Sequence, residues 1–174
     1  ESTGAASSED WNADSIAAVK SNVEEALTWW QDTLVAQQSV HSVQFLTDYQ
    51  YTDNPVATAL EPITERSNLY TTWVNEFLDE AGANTFDGIS ADMRKFNDSQ
   101  RIAHDTNWGF TIFVVNDEND VDGMFAEGGS FRRAFAFSGG RYLVVPAGRP
   151  ASTIAHEMGH IFWARDEYSG AGSY

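Results

Sequence analysis

Two histidines four residues apart, His156 and His160, with Glu157 directly after the first, have the types and spacing to hold and use a metal ion. On a helix, side chains at i and i+4 share a face, so both imidazoles can point at one cation. Glu157 falls about 100° further round, close enough to reach a water on that ion without ligating it. This H-E-x-x-H arrangement suits zinc: two neutral imidazoles hold the metal, and the carboxylate takes a proton from the water. Two surface histidines near a glutamate by coincidence would do none of this, so the surroundings must decide.

Those surroundings predict a helix with an apolar back and a polar front. Ile154, Met158, Ile161 and Phe162 map to the side opposite the histidines. Pro150 stands where a helix can begin, since its missing N–H would have no partner there anyway. Catalytic zinc takes three protein ligands plus water. Beyond His160 the only acids are Asp166 and Glu167. An unbroken helix would aim Asp166 away from the histidines, so the helix must stop near Trp163 and turn back.

At this point the chain resembles the metzincin metallopeptidases, whose H-E-x-x-H-x-x-G-x-x-H/D pattern places its third ligand where Asp166 stands. The resemblance implies that His156, His160 and Asp166 hold zinc and that Glu157 is the general base, with Glu167 as the alternative third ligand. The family's turn glycine is matched here by Trp163, for which a positive φ would be strained, so a differently built turn is expected. The Asp166-Glu167-Tyr168 ending is also similar to that of immunoglobulin-A-cleaving-type bacterial metallopeptidases, at a spacing one residue shorter.

The chain has 174 residues, 42% hydrophobic and 13% aromatic, which is enough for one domain with a real core. Ten basic against 26 acidic residues give a formal net charge of −16. That excludes nucleic acid as a partner and disfavours anionic membrane surfaces. No apolar run reaches membrane-spanning length. The absence of cysteine rules out disulfides and thiolate metal sites, and suits a secreted protein. With Glu1 first and no leader in the sequence, a mature or excised extracellular fragment is expected.

Read in order, residues 1–12 are small and polar and predict a flexible lead-in to a domain spanning 13–174. Asp14 is positioned to cap a helix to about Ala36, with Ile16, Val19, Val23, Leu27, Trp30 and Leu34 on its apolar face. From Val43 to Tyr51 the period changes to two, which predicts a strand. His41, at its start, reads as a loop residue without a role. A second helix is expected from beyond Asn54-Pro55 to about Ala81, with Gly82 as its C-terminal cap. Met93, Phe96 and Ala103 predict a third helix, with His104 near its end in a structural position.

Phe110 to Val115 is almost continuously apolar and predicts a buried central strand. Acidic residues then alternate, so that Glu118, Asp120 and Asp122, ahead of Gly123, are candidates for calcium, with a solvated acidic turn as the alternative. Phe131 to Phe137 and Arg141 to Val145 read as strands joined at Ser138-Gly139-Gly140.

Alternating strands and helices predict an α/β fold, a three-layer-like sandwich with a mixed, mostly parallel sheet and an active-site helix. This resembles the upper subdomain of a metzincin. The resemblance implies that Arg133, Ala134, Phe135, Ala136 and Phe137 form an antiparallel edge strand that receives an extended substrate as an added strand. No methionine follows Met158, so the family's methionine turn and lower subdomain are not matched. The function expected is that of a secreted zinc endopeptidase acting on protein or peptide substrates. Two alternatives stand beside it: a non-catalytic peptide- or glycan-binding module keeping the zinc helix, and a zinc hydrolase of non-peptide amides.

Overall fold

Three strands form the sheet that everything else covers: β1 (Thr111–Val115), β2 (Phe135–Ala136) and β3 (Tyr142–Pro146), in the order β1-β3-β2. The computed structural model describes residues 9–166. β1 runs parallel to β3 from Thr111↔Tyr142 to Val115↔Pro146, and β2 pairs antiparallel through Phe135↔Val144 and Ala136↔Leu143. The sheet is therefore mixed, with one parallel and one antiparallel pairing.

Successive side chains of β3 point to opposite faces, and both faces are buried. Tyr142 and Val144 enter a core with α3 (Tyr70–Glu80) and α4 (Ile89–Ala103), through Trp73, Phe77, Met93 and Phe96. Leu143 and Val145 enter a second core with α1 (Ala13–Ala36) and α5 (Ala151–Ile161), through Val23, Leu27, Ile154 and Met158. Helices on both faces of one sheet make the α/β sandwich.

The two strand positions differ from expectation. The apolar run before Asn116 forms β1 at the edge of the sheet, and β3 is central. β1 is half-covered along most of its length, whereas every residue of β3 is buried. The expected strand from Phe131 narrows to Phe135–Ala136. The backbone before it bonds elsewhere: Phe131 N–H goes to Ser67 Oγ at 2.9 Å, and Ser130 N–H to Asn68 Oδ1 at 2.6 Å.

Residues 43–49 form no strand; a one-turn helix, α2 (Gln50–Asp53), follows them. Their alternation is real, since odd-numbered residues are half-buried and even-numbered ones exposed. The covered side lies on α1 instead of a sheet. Glu24 accepts from Thr47 Oγ1 at 3.0 Å and Tyr49 Oη at 2.7 Å, and Gln31 Nε2 donates to Val43 O at 3.4 Å. A helix flank reads an extended chain with the same period of two as a neighbouring strand does.

The segment from Glu9 to Asn12 is not a loose lead-in; residues 1–8 lie outside the described residues. Glu9 is buried and its carboxylate accepts the Asn119 N–H at 3.0 and 3.2 Å. Asn12, not Asp14, caps α1: its Oδ1 accepts from Asp14 N at 3.0 Å and Ser15 N at 2.9 Å, and Ser15 Oγ accepts the Asn12 N–H in return. Replacing Asn12 by alanine is expected to lower stability by about 1 kcal/mol in denaturant titration.

The second predicted helix is shorter than expected. Two 3₁₀ turns, Pro62–Thr64 and Ser67–Leu69, precede α3. Helices α1, α3, α4 and α5 all end alike, with a residue of positive φ next after the cap: Gln38, Gly82, Asp105 and Trp163. Each is closed by two backbone bonds of the Schellman type, as in Gly82 N→Asp79 O at 3.0 Å with Ala83 N→Leu78 O at 2.8 Å.

Candidate metal centre

α5 is held by its back. Ile154, Met158 and Ile161 are buried between α1 and the sheet. Trp30 Nε1 donates to Ala155 O at 3.0 Å, and its ring meets Phe162 edge-on at 5.2 Å. This packing turns His156 and His160 outward together, their rings 4.9 Å apart. Pro150 precedes the helix as its N-cap residue, one position before the first helical residue.

The chain then turns back as the spacing requires, and Trp163 makes the turn. It takes φ +69°, so the differently built turn expected at this position is not what forms. Trp163 N donates to His160 O at 3.0 Å and Ala164 N to Gly159 O at 2.8 Å. His160 O also accepts the Gly139 N–H, at 2.9 Å. The turn carries Ala164 O to within 3.0 Å of His160 Nδ1. A carbonyl can only accept, so Nδ1 carries a proton, and in the neutral ring the Nε2 of His160 then presents a lone pair.

Asp166 Oδ1 lies 3.2 Å from His156 Nε2 and 3.5 Å from His160 Nε2. These three atoms are mutually within 4.8 Å, and among the described residues no other such group of metal-ligating side chains is formed. Asp166 Oδ1 is buried and makes no hydrogen bond. A carboxylate oxygen facing a ring nitrogen whose proton is on the other side is one acceptor facing another. Such a cluster is stabilised by a cation at its centre.

The dimensions and the donor types fit zinc. With bonds of about 2.0–2.1 Å, neighbouring ligand atoms of a tetrahedron stand about 3.3 Å apart. The two nitrogen–oxygen separations bracket that value. The His160 Nδ1–H to Ala164 O bond is the outer contact that a metal-ligating histidine normally makes. Glu167, the alternative third ligand, lies outside the described residues.

Glu157 is buried just inside this cluster. Burial pushes its pKa up to about 7, with Asp166 adding to the rise while His160 and the Ala136 amide oppose it. In metal-free protein this makes stability pH-dependent. Below pH 4.5 the group is protonated folded or unfolded; between 4.5 and about 7 only the unfolded chain ionises, so stability falls as pH rises. The fall approaches about 3 kcal/mol. Glu157→Gln should flatten that part of the profile and be more stable than the parent above pH 7, as read by denaturant titration after chelation.

The candidate substrate strand borders this helix. β2 is an edge strand beside α5, with Phe135 buried, and Arg133 and Phe137 exposed, Phe137 next to Tyr70. Ala134 and Ala136 face the α5 side.

The calcium candidates are not gathered. Asp120 Oδ1 accepts from Asp122 N at 3.1 Å and Gly123 N at 2.7 Å, Asp122 pairs with Arg132 at 3.3 Å, and Glu118 accepts from Asn12 Nδ2 at 3.3 Å. The loop's carboxylates thus serve its own backbone and neighbouring side chains. His104 caps the end of α4 and meets Asp48 at 3.0 Å; His41 is exposed in a loop.

Three contributors went unseen in the sequence: the Ala164 carbonyl, the Ala136 amide and Gly139. The first two act through backbone atoms that every residue carries. Gly139 was visible only as a turn residue. Compared with protein-family models, curated proteins and solved structures, the chain matches none.

Proposed function

We propose that this chain is a secreted zinc-dependent endopeptidase of metzincin type. The observation that carries the reading is the convergence of three lone-pair atoms, from His156, His160 and Asp166, on one point beside the buried Glu157. Zinc held there supplies Lewis acidity, polarising the scissile carbonyl and acidifying the attacking water.

The remaining work belongs to the protein. Glu157 takes the proton as the water oxygen bonds to the carbonyl carbon, then delivers it to the departing nitrogen as the C–N bond breaks. The unpaired edge of β2 receives the substrate backbone in extended form, which places a peptide across the face of α5. The resemblance to the upper subdomain of metzincins supports the same assignment of roles.

The test is metal analysis of the purified chain together with digestion of a broad peptide library. Close to one zinc per chain is expected, with cleavage that a chelator stops and added zinc restores. A chain that binds no zinc, or cleavage indifferent to chelation, would refute the reading.

A further inference from the structure

The turn that delivers Asp166 is closed by a contact between two segments far apart in sequence. Trp163 is 73% exposed, yet its ring lies against Gly139. A Cβ built on Gly139 would lie 2.1 Å from Trp163 Cζ2 and 2.2 Å from Cε2, so the indole fills the space a side chain there would need. Gly139 itself takes φ +61°, three residues beyond the end of β2 at Ala136. Its N–H and that of Trp163 both end on the His160 carbonyl, at 2.9 and 3.0 Å. The two segments therefore meet at His160, and Asp166 follows three positions after Trp163.

A glycine at 163 would allow the same positive φ but would hold nothing. Its backbone populates many conformations, and the carboxylate beyond it would be placed by the turn's two hydrogen bonds alone. An indole lodged on Gly139 restricts the turn from outside. We propose that Trp163 is a positioning residue for the third ligand: its contact with Gly139 fixes the register in which Asp166 Oδ1 faces the two histidine Nε2 atoms. This rests on the metal reading above and deepens it.

Zinc affinity, measured by competition with a chromophoric chelator, and the visible spectrum of the Co(II)-loaded chain would be compared across variants. Trp163→Ala is expected to weaken zinc about 10–100-fold, the range for losing an outer contact of a metal site, and to alter the Co(II) bands. Trp163→Phe, whose ring still reaches toward Gly139, should stay close to the parent in both. Trp163→Ala combined with Asp166→Ala should bind as weakly as Asp166→Ala alone, because the ring acts through that carboxylate. Thermal melts will show whether each variant is folded, which the exposure of Trp163 favours. Parent-like affinity and spectrum in Trp163→Ala would overturn the proposal, and so would a full additional loss on top of Asp166→Ala. A parent chain that takes up no zinc would overturn the metal reading itself, so the two failures are told apart by the first measurement.

Discussion

Glu157→Gln is expected to lower kcat/KM for peptide hydrolysis by about 10²–10⁴-fold while zinc stays bound. The amide keeps the shape of the carboxyl group and can still hydrogen-bond with the Ala136 segment, but it cannot take the water's proton. The loss is equivalent to about 3–5 kcal/mol of transition-state stabilisation. It cannot be ascribed to unfolding, since relief of a buried carboxylate should make the metal-free variant more stable above pH 7. Steady-state kinetics beside metal analysis would check it. Unchanged turnover would mean that another group is the base.

Removing His160 should have the largest effect on metal content. His160→Ala deletes a ligand atom, and with it the bond from Nδ1 to Ala164 O that joins the helix to the returning turn. Affinity should fall well beyond the 10–100-fold typical of losing an outer-shell partner. His156→Ala deletes a ligand but leaves that bond, and its loss should be smaller than that of His160→Ala. Asp166→Ala should weaken binding as well, and Glu167→Ala should not. Chelator competition on all four variants orders them; stoichiometric zinc in the double histidine variant would dismiss the site.

The helix carrying His156 and His160 was legible because a helix repeats: i, i+4 histidines and an apolar back face can be read without knowing what the helix packs on. Helices α1, α3 and α4 were legible for the same reason. The alternation from Val43 to Tyr49 was misread because α1, not a strand, covers one side of it. Which strand is central depends on pairing partners that lie outside each strand's own residues, so β1 and β3 could not be ranked from their apolar runs.

The turn at Trp163 was harder still. A positive φ on an L-residue costs roughly 1–2 kcal/mol, which argues for glycine. Two closing backbone bonds and the seat on Gly139 oppose that cost, and none of them is visible in local sequence. Glu9 shows the same limit: a charged residue near a chain end reads as solvated, and here it is buried against Asn119.

The extended stretch beside α1 has a consequence for how long the molecule lasts. From Val43 to Tyr49 the chain runs outside any sheet, held to α1 by polar contacts from Glu24 and Gln31 and by Phe45, which packs on the core beside Phe162. An added-strand cleft accepts a substrate in that same shape. Lifting this strap withdraws Phe45 from the core between α1, α5 and the sheet, but it breaks none of the strand pairings. If the chain has the proposed peptidase activity, one copy's strap is a substrate for a neighbour in concentrated solution. Self-digestion would begin there, separating α1 from the sheet that it covers.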